Sequence, residues 1–256
     1  MDTTIGLSIG SFVLILAVLV ILRARNSRFD LRPTDIVVAI LPVVVFLLVT
    51  GKLQKFEIGE GGVKIETAFV KAQSSTIVSQ VTPLAGLPAV PIRLNPKEGV
   101  EQIPRLIANK TEGLLFRLGY GGYWGPAIKE YFRQLARQPF LNYLVIENAD
   151  GTFFAMANAR ELTDLFLAER PAYTPNDFAK WLKNKNEVEL ARLPGFIASK
   201  DAVTKETDKG QALRKMEKLN VETLPVVDKM KHFAGIVNRS RLTASLLIDV
   251  SENLKK

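Results

Sequence analysis

The chain contains no cysteine and a single histidine, His232. The missing cysteine excludes disulfide frameworks, thiolate zinc sites, iron–sulfur clusters and cysteine nucleophiles. One histidine excludes a histidine-rich metal centre and argues against a Ser-His-Asp triad. Low hydrophobicity, the mark of a disordered chain, is also missing: 47% of the 256 residues are hydrophobic. Charge is absent over two long N-terminal runs, and basic residues are few there. Yet the whole chain carries a formal charge of +8, a pI near 9.6 and a positive mean hydropathy of +0.12. Apolarity and positive charge must therefore sit in different places.

The first uncharged run lies between Asp2 and Arg23. About 20 apolar residues make a helix of ~30 Å, one hydrocarbon core. A cleaved signal peptide needs a basic start and a small-residue cleavage site. Here the start is MDTTIG and the run is followed by RARNSR, so a membrane span is the better reading. The second run, IVVAILPVVVFLLVTG, lies between Asp35 and Lys52. It is short for a span, and Pro42 interrupts it, which membrane helices tolerate. It is longer than a strand of ~5–6 residues, so a second helix of a hairpin is expected. Residues 1–51 are thus expected to form a membrane anchor of two transmembrane helices, with the lipid bilayer as partner.

Orientation has two readings. The connector carries Arg23, Arg25, Arg28 and Arg32, and the positive-inside rule places it in the cytoplasm. A hairpin then puts everything after it outside. If only the first run spans, everything after Arg23 is cytoplasmic.

Residues 52–112 read as a β-hairpin and a linker. FEIGEGGVKIETAFV, Phe56–Val70, alternates around a Gly-Gly turn. Ser74–Glu101 is rich in Ser, Thr and Pro and reads as an extended arm. From Gly113 the pattern becomes α/β, and residues 113–256 are expected to form one module. LLFRLG is a short apolar run, Ala127–Arg137 an amphipathic helix, and Pro139–Glu147 a strand. Asn148–Thr152 is an Asp-Gly turn, Phe153–Ala157 the returning strand, and Asn158–Arg170 a helix. The same order returns about 80 residues later. Its strand is GFIAS, Gly195–Ser199, and its helix Thr207–Leu219 opens with an Asp208/Gln211 capping pair. LPVVD, the turn KMKH, FAGIV and the helix NRSRLTASLLIDV complete the internal repeat.

ALRKMEKLNVETLPVVDKMKHFAGIVNRSRL, Ala212–Leu242, resembles the second half of a cystathionine-β-synthase (CBS) motif, through Pro225, Val226, Val227, Asp228, Gly235, Ile236 and Val237. A weaker copy around Tyr131–Leu165 is carried by LVIENADGTFFAMANARELTDL. The resemblance covers Gly113–Val250. It implies a tandem, pseudo-symmetric α/β module of the Bateman type, regulatory and cytoplasmic, which binds an adenine nucleotide between its copies. It also implies a homodimer through the module, or a membrane-protein partner. The family's ligand signature is Thr or Ser, two residues, then Asp. The hydroxyl sits where a helix N-terminus can hold phosphate, and the Asp accepts from ribose. Asn158 and Glu161 stand at those positions in the first copy, Asn238 and Arg241 in the second. Asn can cap a helix and Glu161 can accept from ribose. Arg241 has no acceptor, so Arg239 and Arg241 are candidates for phosphate instead.

Other motifs carry less. LGYGGYWGP places Trp124 where a dinucleotide fingerprint needs its third glycine, and no Lys-Ser/Thr follows for a P-loop. Glu130, Glu147, Asp150 and Glu161 have no spacing that forces a general acid–base pair. The Lys-rich segment Lys205–Lys218 lacks interleaved aromatics, which argues against nucleic acid. The expectation is a membrane-localised regulatory protein with no catalytic residue, no metal and no resident cofactor. The alternative is a scaffold whose degenerate module only binds proteins.

Overall fold

The computed structural model describes residues 68–84, 100–135 and 137–254. Both uncharged runs and the expected β-hairpin, up to residue 67, lie outside them. Among the described residues no helix is long and apolar enough to cross a membrane.

The first copy opens with a short helix, α1 (Ile103–Ala108). Strand β1 (Gly113–Arg117) leads to α2 (Gly125–Leu135). Strands β2 (Tyr143–Glu147) and β3 (Phe153–Asn158) form a hairpin, followed by α3 (Ala159–Leu167). The second copy contains β5 (Val203–Thr204), α6 (Lys209–Leu219), β6 (Thr223–Val227), β7 (Phe233–Asn238) and α7 (Arg239–Leu254). Between them lie α4 (Pro175–Asn184), α5 (Glu187–Leu190) and β4 (Ile197–Ala198).

The described strands form a 4-stranded sheet, β1-β2-β3-β4, and a 3-stranded sheet, β5-β6-β7. In each copy the first pair is parallel across a helix and the next is an antiparallel hairpin. The internal repeat therefore holds down to the register. Tyr143↔Asn158 in one hairpin becomes Thr223↔Asn238 in the other, and each ladder slips at the same place, Ile146/Glu147 and Val226/Val227. The two turns also close alike. Asn148 N–H donates to the Thr152 carbonyl at 2.7 Å, and Asp228 N–H to the His232 carbonyl at 2.9 Å. Each turn has one residue at positive φ, Gly151 (φ 86) and Lys231 (φ 65).

Period 2 decides where the core sits. On β1 and β2, Leu114, Phe116, Leu144 and Ile146 pack under α1 to α4. Their alternates Leu115 and Val145, with Phe153, Met156 and Ile197, pack against Val203, Leu224, Val226 and Val237 of the second copy. The first sheet is thus buried on both faces, which explains its nearly continuous apolar strands. Equivalent residues meet where the copies join. The Phe153 and Phe233 rings lie 5.7 Å apart between centroids. The Tyr143 hydroxyl is 3.5 Å from Thr223 Oγ1, a pair separated by 80 residues.

Three segments differ from the sequence expectation. GFIAS belongs to the first sheet: Ile197 and Ala198 pair with Met156 and Ala155 of β3. The second copy starts instead at Val203, parallel to Val226. The apolar FI pair fits either place, and only the long-range pairing decides. The described part of the Ser/Thr/Pro-rich arm is extended only in places: Val81 is extended, and Thr76 and Thr82 form isolated antiparallel bridges with Asp208 and Ile236. Residues 68–73 are helical, which also ends the expected Phe56–Val70 hairpin early, and Val78–Gln80 form a 3-10 turn. Ile77 of this segment is fully buried. Finally, Arg170–Gly195, where the sequence pattern set no element, holds α4 and α5. The signal was present: Thr174 and Asp177 form a capping box with Pro175 in the first turn.

Candidate functional site

The candidate residues lie where the third strand of each copy turns into its last helix. In the first copy β3 ends at Asn158, which is still extended. Its side-chain oxygen accepts from the N–H groups of Arg160 (2.9 Å) and Glu161 (3.2 Å). Its amide donates to Glu161 Oε1 at 2.6 Å. Asn158 and Glu161 are thus brought together as one cap, with two of the helix's unpaired donors satisfied. The Asn158 N–H is held by the Pro194 carbonyl at 2.8 Å. Gly195 follows at φ +61, and a Cβ there would stand 3.2 Å from Asn158 Cβ. A side chain at 195 is disfavoured by both facts.

The first turn of α3 also fixes the loop before β2. Ala159 N–H donates to the Asn142 carbonyl at 3.0 Å. Arg160 donates to Asn142 Oδ1 at 2.8 Å, and also to the Pro139 carbonyl. The second copy repeats this with a different arginine. Arg239 N–H donates to the Glu222 carbonyl at 2.8 Å, and its guanidinium donates to the Val221 carbonyl at 2.9 Å. Its Nε is 3.6 Å from Glu222 Oε1. Arg239 therefore fastens the loop before β6, as Arg160 fastens the loop before β2.

Asn238 accepts from Ser240 N–H (3.0 Å) and Ser240 Oγ (2.5 Å), and its amide donates to Thr223 Oγ1 at 3.4 Å. Thr223 in turn meets Tyr143, so a polar chain Asn238–Thr223–Tyr143 crosses between the copies. Arg241 points elsewhere: its guanidinium donates to Thr82 Oγ1 at 2.6 Å. The five candidates thus fall into one joined pair, Asn158 with Glu161, and three neighbours with separate partners, Asn238 at the end of β7 and Arg239 and Arg241 on α7. Sequence reasoning missed Tyr143, Thr223, Asn142, Arg160 and Thr82. The repeat offset would have found Tyr143 and Thr223, since they are each other's equivalents. Nothing local marks Thr82.

The chemistry available differs between the copies. Glu161 is exposed, with one oxygen committed to Asn158, so its carboxylate retains capacity to accept from hydroxyls. In the second copy the matching Arg241 can only donate, and it is engaged. At the opposite ends of the hairpins, Glu147 lies 3.7 Å from Arg117. Burial pushes its carboxyl upward, and Arg117 partly offsets this. Tyr123, whose hydroxyl accepts from Arg117 N–H at 2.6 Å, is pushed up to about 12 by burial. His232 Nδ1 is 3.6 Å from Asp228 in an exposed turn. The backbone N–H groups of His232 and Met230 hold Asp228 below the usual carboxylate range, the His232 contribution being the larger. Among the described residues no cluster of three His, Cys, Asp or Glu is placed to hold a metal ion.

No protein-family model matches the chain, and no curated protein does. Solved structures do show similarity. CBS domains of a transcriptional regulator from Streptococcus pneumoniae share 13% identity over 66% of this chain and 98% of that one, with a TM-score of 0.35. The CBS-pair protein CBSX2 in complex with AMP shares 17% over 68% and 97%, with a TM-score of 0.36. The CBS domain of the bacterial CNNM/CorC family Mg2+ transporter in complex with ATP shares 13% over 72% and 95%, with a TM-score of 0.39.

Proposed function

We propose that this chain is a membrane-anchored regulatory protein whose tandem CBS-like module takes an adenine nucleotide in its first copy. The observation that carries the reading is the Asn158–Glu161 cap. Held at the end of β3 by Asn158, the exposed Glu161 carboxylate keeps capacity to accept from ribose hydroxyls, while the first N–H groups of α3 are already taken by Asn158 and Asn142. The second copy offers no such pair, because Arg241 is a donor already bound to Thr82. One nucleotide per chain is therefore expected rather than two. The anchor rests on the two uncharged runs before Lys52. The regulatory role rests on the CBS-like repeat of the sequence, and no catalytic role is assigned to His232, which sits in an exposed turn.

Thermal unfolding of the full chain with AMP or ATP tests the reading. A ligand that binds only the folded form raises the midpoint, by an amount that grows with ligand concentration. The rise should vanish in Glu161→Ala and persist in Arg241→Ala. No rise with either nucleotide in the unmodified chain overturns the ligand reading. It leaves the second reading, a scaffold, which the committed Arg241 and Arg239 already favour for the second copy.

A further inference from the structure

Residues 75–82 run along one face of α7, antiparallel to it, and touch it at three regularly spaced points. Ser75 Oγ donates to Asp249 Oδ2 at 3.0 Å, Gln80 Nε2 donates to Ser245 Oγ at 2.9 Å, and Arg241 donates to Thr82 Oγ1 at 2.6 Å. Arg241, Ser245 and Asp249 are spaced four apart, one stripe of a helix. The neighbouring stripe, Leu242, Leu246 and Val250, is the fully buried one. The polar stripe is thus α7's docking face for this segment.

A buried lysine closes the contact. Lys209, at the start of α6, is 3% exposed. Its ammonium donates to Asp249 at 2.5 Å and Ser245 at 2.8 Å. Its own N–H donates to the Ser75 carbonyl at 2.9 Å, and Ile77 N–H donates to the Thr207 carbonyl at 3.0 Å. At the far end, Thr82 and Ile236 exchange both backbone bonds at 2.9 Å. This places Thr82 beside β7 as Ile197 stands beside β3. Gly235 makes room there: a Cβ on it would meet the Thr82 carbonyl at 2.5 Å.

We propose that residues 68–84 are a strap, a unit that opens and closes on the second copy, with Lys209 as its clasp. A buried charge pair is a costly way to hold a segment, and an apolar contact of the same size often holds as well. Loss of Asp249, however, leaves the Lys209 ammonium, on a side chain 4% exposed, without its counter-charge. The strap does not rest on the regulatory reading above.

Native-state hydrogen exchange of the full chain, without nucleotide, tests it. The amides of Ile77, Thr82, Lys209 and Ile236 report the strap, and those of Leu144, Val145 and Leu224 report the sheets. In Asp249→Ala, which leaves the Lys209 ammonium buried without its counter-charge, the four strap amides should exchange about tenfold faster or more, while the sheet amides keep their rates, as local opening requires. Gly235→Ala, which acts at the other end and leaves the polar cluster intact, should release the same four. Strap and sheet amides rising together in both variants, or no rise at the strap in either, overturns the proposal. Nucleotide titration is not involved, so the strap and the ligand reading can fail separately.

Discussion

Asn158 ends a strand and begins a helix, and the cost of replacing it follows from both tasks. Its oxygen serves two N–H groups of α3, so Asn158→Ala should lower stability by about 1 kcal/mol, read as a shift of the urea midpoint without change of slope. Glu130 makes a pH-dependent contribution. Hydrogen bonds from Arg133, then from Gln134, lower its carboxyl from 4.5 to about 2. A lowered folded value stabilises above the ordinary carboxylate range and is lost as pH falls through the folded value. Glu130→Gln should therefore be less stable than the parent at neutral pH. The difference should shrink between the ordinary value of 4.5 and about 2, followed by thermal unfolding across that window. The Arg133 partner is exposed, so the effect is small. Residue identity alone announced Asn158 as a cap, because Asn before a helix is a recognised signal. It did not announce Arg241 as the partner of Thr82, 159 residues away.

At the scale of elements, local chemistry was legible wherever a cap or turn wrote it down. The hairpin at Asn148–Thr152 carries its Asp-Gly pair, and the matching turn at Asp228–His232 was placed by repetition. Helix α4 shows the same logic unused: Thr174 Oγ1 accepts from Asp177 N–H at 3.2 Å and Asp177 accepts from Thr174 N–H at 2.8 Å. Thr174→Ala should destabilise the chain by about 1 kcal/mol. Far-ultraviolet circular dichroism during urea unfolding measures it, and an unchanged midpoint would show that α4 is held by packing alone. Strand partnership was less legible. Gly195–Ser199 has the same apolar content for either sheet, and its place beside β3 is set by a pairing that sequence periodicity cannot express.

For the whole molecule, the repeat becomes a contact. Residues one repeat apart, Phe153 with Phe233 and Tyr143 with Thr223, touch across the junction of the copies. Phe153→Leu and Phe233→Leu should each destabilise, and together by less than their sum. The coupling should be about 0.5–1.5 kcal/mol for an aromatic pair, from a double-mutant cycle in urea. Additive effects would mean that each ring acts within its own copy.

The sequence by itself determined the repeat, the hairpin turns at 148–152 and 228–232, and the caps at Asn158 and Asp208. Each is encoded within a few neighbouring residues, by turn chemistry or by the spacing of apolar side chains. The tertiary structure decided what those units meet. It assigned Ile197 to the first sheet, drew residues 75–82 onto α7, and tied Arg241 to Thr82. These are pairings over long separations, where backbone hydrogen bonds and buried charge find partners that no local pattern specifies.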